Sequence, residues 1–114
     1  MSSCIFCQIV HGHIPSVKVY EDDEVLAFRD INPQAPVHVL IIPKKHIAMI
    51  TDLDENEHRL MGKLIAAANQ VAGIMKVEES GFRLVINNGR DGGQDVFHIH
   101  VHFLAGRRLK WPPG

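Results

Sequence analysis

The chain has 114 residues, of which 46% are hydrophobic and 22% charged, a composition that argues against disorder and suits one globular domain over residues 1–114. Twelve Lys and Arg against 13 Asp and Glu leave a net charge of −1, which excludes the strong basic excess of a nucleic-acid coat. No apolar run reaches the ~20 residues of a membrane span, and a single C-x-x-C with no leader-like start fits a reduced, cytoplasmic setting.

The unusual count is histidine, at eight. Ile5, Phe6, Ile9 and Val10 have helical spacing and predict one or two turns ending at His11-Gly12. Pro15 forces an extended start, so Val17 to Glu21 predicts a strand, joined through Asp22 and Asp23 to a second over Val25 to Asp30. Asn32 to Pro36 is a loop fixed by two prolines. Val37 to Ile42 is β-branched and apolar, a central strand stopped by Pro43. Asp54 and Glu57 form a capping box for the one long helix, about 22 residues. Leu60, Met61, Leu64, Ile65, Ala68, Val71, Ala72 and Met75 mark its buried face at a 3.6-residue period. Phe82 to Asn87 and Val96 to Leu104 predict two more strands, separated by a glycine-bearing loop over Asn88 to Gln94. Hairpin-linked strands with one long and one short helix predict an α+β fold with a five-stranded antiparallel sheet.

The last strand carries the chemistry. From Phe97 to Phe103 apolar residues alternate with histidine, and residues i and i+2 of a strand share a face. His98, His100 and His102 therefore line one side, and Phe97, Ile99, Val101 and Phe103 line the other, where the helix can cover them. Three imidazoles on one exposed face give no packing advantage. They suit a metal site or phosphoryl transfer, in which one imidazole attacks phosphorus and its neighbours supply protons and hydrogen bonds. The preceding loop, Asn87 to Gln94, holds glycines whose backbone N–H groups can close around phosphate oxygens, although neither a P-loop nor a G-x-G-x-x-G is present.

His98-Ile99-His100-Val101-His102-Phe103-Leu104 matches the H-φ-H-φ-H-φ-φ signature, φ being apolar, and the chain thereby resembles the histidine triad superfamily. Leu26 to Ile31, Pro33 to His38, Ile42 to His46, Gly92-Gly93-Gln94 and Trp111 to Gly114 extend the resemblance along nearly the whole chain, toward the Hint branch of nucleoside phosphoramidases. The resemblance implies a homodimer with the sheet continued across two protomers. It implies hydrolysis of purine nucleoside 5′-monophosphate derivatives, such as adenosine 5′-phosphoramidate or aminoacyl adenylates, with no metal needed for the chemistry. It makes His100 the nucleophile, His102 the binder of phosphate and leaving group, His38 the completing member of the cluster and His98 the residue that orients the others. Asn87 and the N–H groups near Gly93 and Val96 would hold phosphate oxygens, and Asp30 the ribose hydroxyls. Ile5, Phe6, Ile9, Ile14, Phe28 and Ile31 would form an apolar base pocket for an AMP- or GMP-type nucleotide.

Many members of that branch carry Ser where this chain has Asp95. A carboxylate there repels phosphate oxygens, and it could instead pair with a cationic leaving group such as a lysyl amine, so an altered leaving-group preference is expected. Cys4 and Cys7 alone supply half of a closed zinc site. Some bacterial histidine triad proteins complete such a pair with residues matching His46 and His98, which makes structural zinc one reading and two reduced thiols the other. If zinc binds, His98 has a structural duty. His11, His13 and His58 read as solvated surface. Three other functions are weighed against the phosphoramidase: a metal-dependent hydrolase with His98, His100 and His102 as ligands, a dinucleoside polyphosphate hydrolase, and a non-catalytic nucleotide-binding or scaffold protein.

Overall fold

The computed structural model describes residues 3–114. A short helix, α1 (Ile5–Val10), precedes strands β1 (Lys18–Glu21), β2 (Val25–Arg29) and β3 (Val37–Pro43). The long helix α2 (His58–Ile74) follows, then β4 (Phe82–Val85) and β5 (Val101–Ala105). The five strands form one antiparallel sheet in the order β1-β2-β3-β5-β4, as the α+β expectation requires. The last strand is inserted beside β3, so the histidine segment runs next to the central strand.

Period-two alternation assigns the faces. Val25, Ala27, Val39, Ile41, Val101, Phe103 and Ala105 point to the side covered by α2, where Leu60, Leu64, Ala67, Ala68, Val71 and Ala72 meet them. Leu26, Phe28, Leu40 and Ile42 point the other way, against Phe6 and Ile9 of α1. Because both faces are covered, β2 and β3 are buried runs rather than half-buried alternations. His38 and His102 share the α1 face with Leu40. In the register Leu40 stands opposite His102 and His38 opposite Leu104, which makes His38 and His102 diagonal neighbours within reach of each other.

The expected cap of the long helix is present: the Asp54 carboxylate accepts from the Asn56 N–H at 2.9 Å and Glu57 accepts from the Asp54 N–H at 3.0 Å. It opens a 3₁₀ turn (Glu55–Glu57), and the α-helix proper has 17 residues. Ile65, expected on the buried face, is 47% exposed, because at 100° per residue it lies a quarter-turn from the stripe centred on Leu64, Ala68 and Val71. Ala67 takes its place in the core.

The larger correction concerns the last strand, which pairs only from Val101 onward rather than from Val96. The residues before it leave the β3 ladder and bond instead to the last residue of β3 and to the loop that follows it. The Ile99 N–H donates to the Ile47 carbonyl at 2.8 Å, and the His98 ring bonds the Pro43 carbonyl at 2.7 Å. Phe97 consequently lies outside the helix-covered face, half exposed, while His98 and His100, expected on an open face, are almost fully buried.

Candidate active site and metal centre

His100 has a defined tautomer. Its Nδ1 lies 2.8 Å from the His98 carbonyl oxygen, so Nδ1 carries a hydrogen and donates it, and in the neutral form of the ring the lone pair is on Nε2. The Phe6 ring packs edge-on against His100, with centroids 5.1 Å apart and planes at 85°, and holds the imidazole in place. The nearest carboxylate to Nε2 is that of Asp95, whose Oδ1 is 3.7 Å away.

His38 and His102 form a second ordered pair. The Gln34 N–H donates to His38 Nδ1 at 3.0 Å, which puts the ring hydrogen of His38 on Nε2. That group donates to His102 Nδ1 at 2.9 Å, leaving His102 Nε2–H as the outward donor. Burial pushes both rings below the ordinary histidine pKa, outweighing the upward pull of Asp30 on His38. Asp30 Oδ2 lies 3.4 Å from His38 Nε2, so this contact is a weak second acceptor for a neutral ring rather than an ion pair. Asp30 Oδ1 accepts the Asn32 N–H at 2.8 Å, and a carboxylate has acceptor sites beyond these two.

These groups stand at one end of a cavity of about 340 Å³, the size of a small-molecule site. Its apolar walls include Ile5, Phe6, Ile9, Ile14, Phe28 and Ile31, and its polar end Asp30, Asp95, Val96, His100 and His102. Ile31 stands almost fully exposed at the rim. Pro15, Ser16, Arg29 and Leu40 also line the cavity, none of them a binding residue on sequence grounds. The place of Leu40 was legible in the sequence, two residues from His38 on the same face; the other three are brought in by tertiary packing.

Asn87 and Gly93 do not line the cavity. The Gly93 N–H donates within its own loop, to the Arg90 carbonyl at 3.0 Å, and the Val96 N–H donates to Asp95 Oδ1 at 2.9 Å. The glycine requirement has a local cause: a Cβ at Gly92 would lie 2.7 Å from the Asn88 carbonyl oxygen. Gln94, part of the Gly92-Gly93-Gln94 resemblance but given no role by it, ties this loop to the site. Its buried amide donates to the Ala48 and Val96 carbonyls at 2.8 and 3.1 Å, and its oxygen accepts the Gly89 N–H at 2.8 Å.

His98 faces elsewhere. Its Nε2–H donates to Pro43, leaving Nδ1 as the lone-pair nitrogen. Nδ1 lies 3.2 Å from His46 Nδ1, 3.4 Å from Cys4 Sγ and 3.6 Å from Cys7 Sγ, while Cys7 Sγ is 3.4 Å from His46 Nδ1. Zn–N bonds of about 2.0–2.1 Å and Zn–S bonds of about 2.3 Å make tetrahedral edges of ~3.3–3.8 Å, so these residues fit zinc. The donor set is the closed two-Cys, two-His type of structural sites, and the Pro43 carbonyl orients His98 as an outer partner does.

Among the described residues one other set, Asp30, His38 and His102, gathers its donor atoms as closely. There the 2.9 Å between nitrogens is shorter than the ~3.3 Å edge between two metal-bound nitrogens and is accounted for by a shared hydrogen. His98, His100 and His102 are not among the sets that gather donor atoms on one point, contrary to the metal-hydrolase alternative. His11, His13 and His58 are on the surface, as expected.

A family model for the HIT domain matches residues 11–109, and the chain belongs to the HIT (histidine triad) domain family. It is 51% identical over 110 residues to a HIT-like protein of Synechocystis sp., covering 96% of each chain. It superposes on the crystal structure of a HIT family hydrolase from Legionella pneumophila with a TM-score of 0.95 and 50% identity, covering 98% of this chain and 100% of that one. A histidine triad nucleotide-binding protein from Candida albicans gives a TM-score of 0.83 and 34% identity over 96% of this chain and 83% of that one.

Proposed function

We propose that the protein is a purine nucleoside phosphoramidase that works through a covalent nucleotidyl-histidine intermediate on His100. The observation that carries this reading is the tautomer of His100, a buried ring with its Nδ1–H held by the His98 carbonyl and its Nε2 lone pair beside a nucleoside-sized cavity. The hydrolase name of the Legionella relative and the nucleotide-binding name of the Candida relative support the same class.

The base lies between the apolar walls, where contact area rather than base-edge hydrogen bonds supports a purine. Asp30 accepts from the ribose hydroxyls. His102 Nε2–H, aligned by His38, donates to a phosphoryl oxygen as charge shifts during the reaction. His100 Nε2 gives its electron pair to phosphorus. The P–N bond breaks, and the departing nitrogen keeps the P–N bonding pair and takes a proton from solvent. Water then attacks the same phosphorus, the P–Nε2 pair returns to the ring, and the water's proton goes to solvent. Zinc, held by Cys4, Cys7, His46 and His98, would fasten α1 to the segment that carries His98 and His100; it has no part in these steps. A homodimer with a continued sheet accompanies this reading, supported by β4 at an open sheet edge with Phe82 partly exposed.

The test is turnover of adenosine 5′-phosphoramidate against dinucleoside polyphosphates and nucleotidyl sugars, with acid-quenched trapping of labelled nucleotide on the chain. The amide is expected to be the best substrate. Label is expected on the wild-type chain and absent in His100→Asn, with activity down by roughly 10³-fold or more. Nucleotide binding without label or turnover on any of these substrates would instead favour a binding protein.

A further inference from the structure

Asp95 is the charged group at the polar end of the cavity that the steps above leave without a role. Its side chain is 80% exposed and lines the cavity, and its Oδ1 lies 3.7 Å from His100 Nε2. In the neutral form of His100, whose one ring hydrogen goes to the His98 carbonyl, both facing atoms are acceptors. No hydrogen bond can form between a bare Nε2 and a carboxylate oxygen. The same oxygen takes the Val96 N–H at 2.9 Å, so it sits on a backbone donor suited to a phosphoryl oxygen. A negative charge so placed raises the energy of any bound phosphate. It is offset when the substrate brings positive charge to the same place.

We infer that Asp95 is a specificity-determining residue that selects the leaving group by charge, favouring amines that carry an ammonium group near the scissile nitrogen and disfavouring anionic leaving groups. This inference rests on the phosphoramidase reading and deepens it by naming the leaving-group class. The other charged groups lining the cavity do not replace Asp95. Asp30 lies beside His38 and is given to the ribose hydroxyls, and Arg29, also at the cavity wall, would favour the opposite sign. Asp95 meets no new negative charge when an amine departs, because the nitrogen that keeps the P–N pair and takes one proton leaves as a neutral amine. A departing polyphosphate gains negative charge and meets repulsion.

The test uses three adenosine 5′-phosphoramidates whose amines have equal length and end in an ammonium, a methyl or a carboxylate group. For the wild type, kcat/KM should fall in that order by about threefold per unit of charge, the size expected of an exposed charge pair. The order should compress as salt is raised. Asp95→Asn and Asp95→Ser both retain an acceptor for the Val96 N–H, and in both the three substrates should agree within about twofold. A parallel set of adenosine 5′-alkylphosphonates, with P–C in place of P–N and the same three ends, is measured by calorimetry. Binding should follow the same order in the wild type and lose it in Asp95→Asn. Equal affinities of the wild type for the three phosphonates, or an order that persists in Asp95→Asn, would overturn the inference even if no amide were hydrolysed. Loss of amide turnover with the phosphonate order intact would count against the phosphoramidase reading alone.

Discussion

His98 and His100 are two residues apart and equally hidden, yet they present opposite ring nitrogens to different neighbours. His98 donates Nε2–H to Pro43 and turns Nδ1 toward two thiols and His46; His100 donates Nδ1–H to the His98 carbonyl and keeps Nε2 for the cavity. In each case a backbone carbonyl chooses the tautomer, and the tautomer chooses the chemistry. Phe6 touches both rings, with centroids 5.9 Å from His98 and 5.1 Å from His100, so the two neighbourhoods share a wall without sharing a function. A histidine's role here follows from where its N–H is anchored rather than from its place in a motif.

That contrast can be broken from either side. The largest expected effect, beyond the loss of activity in His100→Asn, is on the cysteine side. Chelation, or Cys7→Ser, should remove the stabilisation of a bound ion. At a thousandfold excess of zinc over its Kd this is about 4 kcal/mol, or a fall in Tm of roughly 15 °C. Metal content by mass spectrometry and a melting curve check this together. A chain that purifies without zinc and ignores both zinc and chelator would remove the metal centre from the comparison.

On the cavity side, His38→Ala removes the donor that sets the His102 tautomer. Loss of a hydrogen bond of ~1.5–3 kcal/mol to a group bearing developing charge corresponds to about ten- to a hundredfold in kcat. KM should change little and Asp30→Asn should act mainly on KM, a division that steady-state kinetics would expose.

Acid should produce a smaller and graded effect. Burial lowers the folded-state pKa of both His38 and His102, so below about pH 6.5 the unfolded chain binds protons that the folded chain refuses. Stability contributed by these two rings is present above that pH and is lost as pH falls through the window down to their folded values. Protonated His102 would also turn a second donor toward His38, so turnover should fall on the same acid limb. Melting temperatures and kcat from pH 8 to 5 test this, and a flat profile below pH 6.5 would contradict it.

Much of this was legible in the residues. Pro15, Pro43, the Asp54–Glu57 cap and the alternation in β2, β3 and β5 predict the elements, because local sterics and face-to-face burial act over a few residues. The cavity walls named from Ile5 to Ile31 follow from resemblance, and the residues do meet around one cavity. Local pattern misplaced Phe97 and opened His98 and His100 to solvent, because perfect alternation reads as a strand while ladder pairing depends on what the neighbouring chain offers. Beyond Ile41 the partner is no longer β3 but the loop at Ile47. The Gly93 and Val96 N–H groups, expected at phosphate, donate here to the Arg90 carbonyl and the Asp95 carboxylate.

The sequence by itself determined the family, the order of elements and the set of reactive side chains, since these depend on residue identity and short-range period. Only the tertiary structure decided which nitrogen of each imidazole is available and toward which neighbours it turns. Those outcomes rest on carbonyls and N–H groups of Gln34, Pro43 and His98, backbone atoms that every residue type carries and that acquire meaning only through their positions in space.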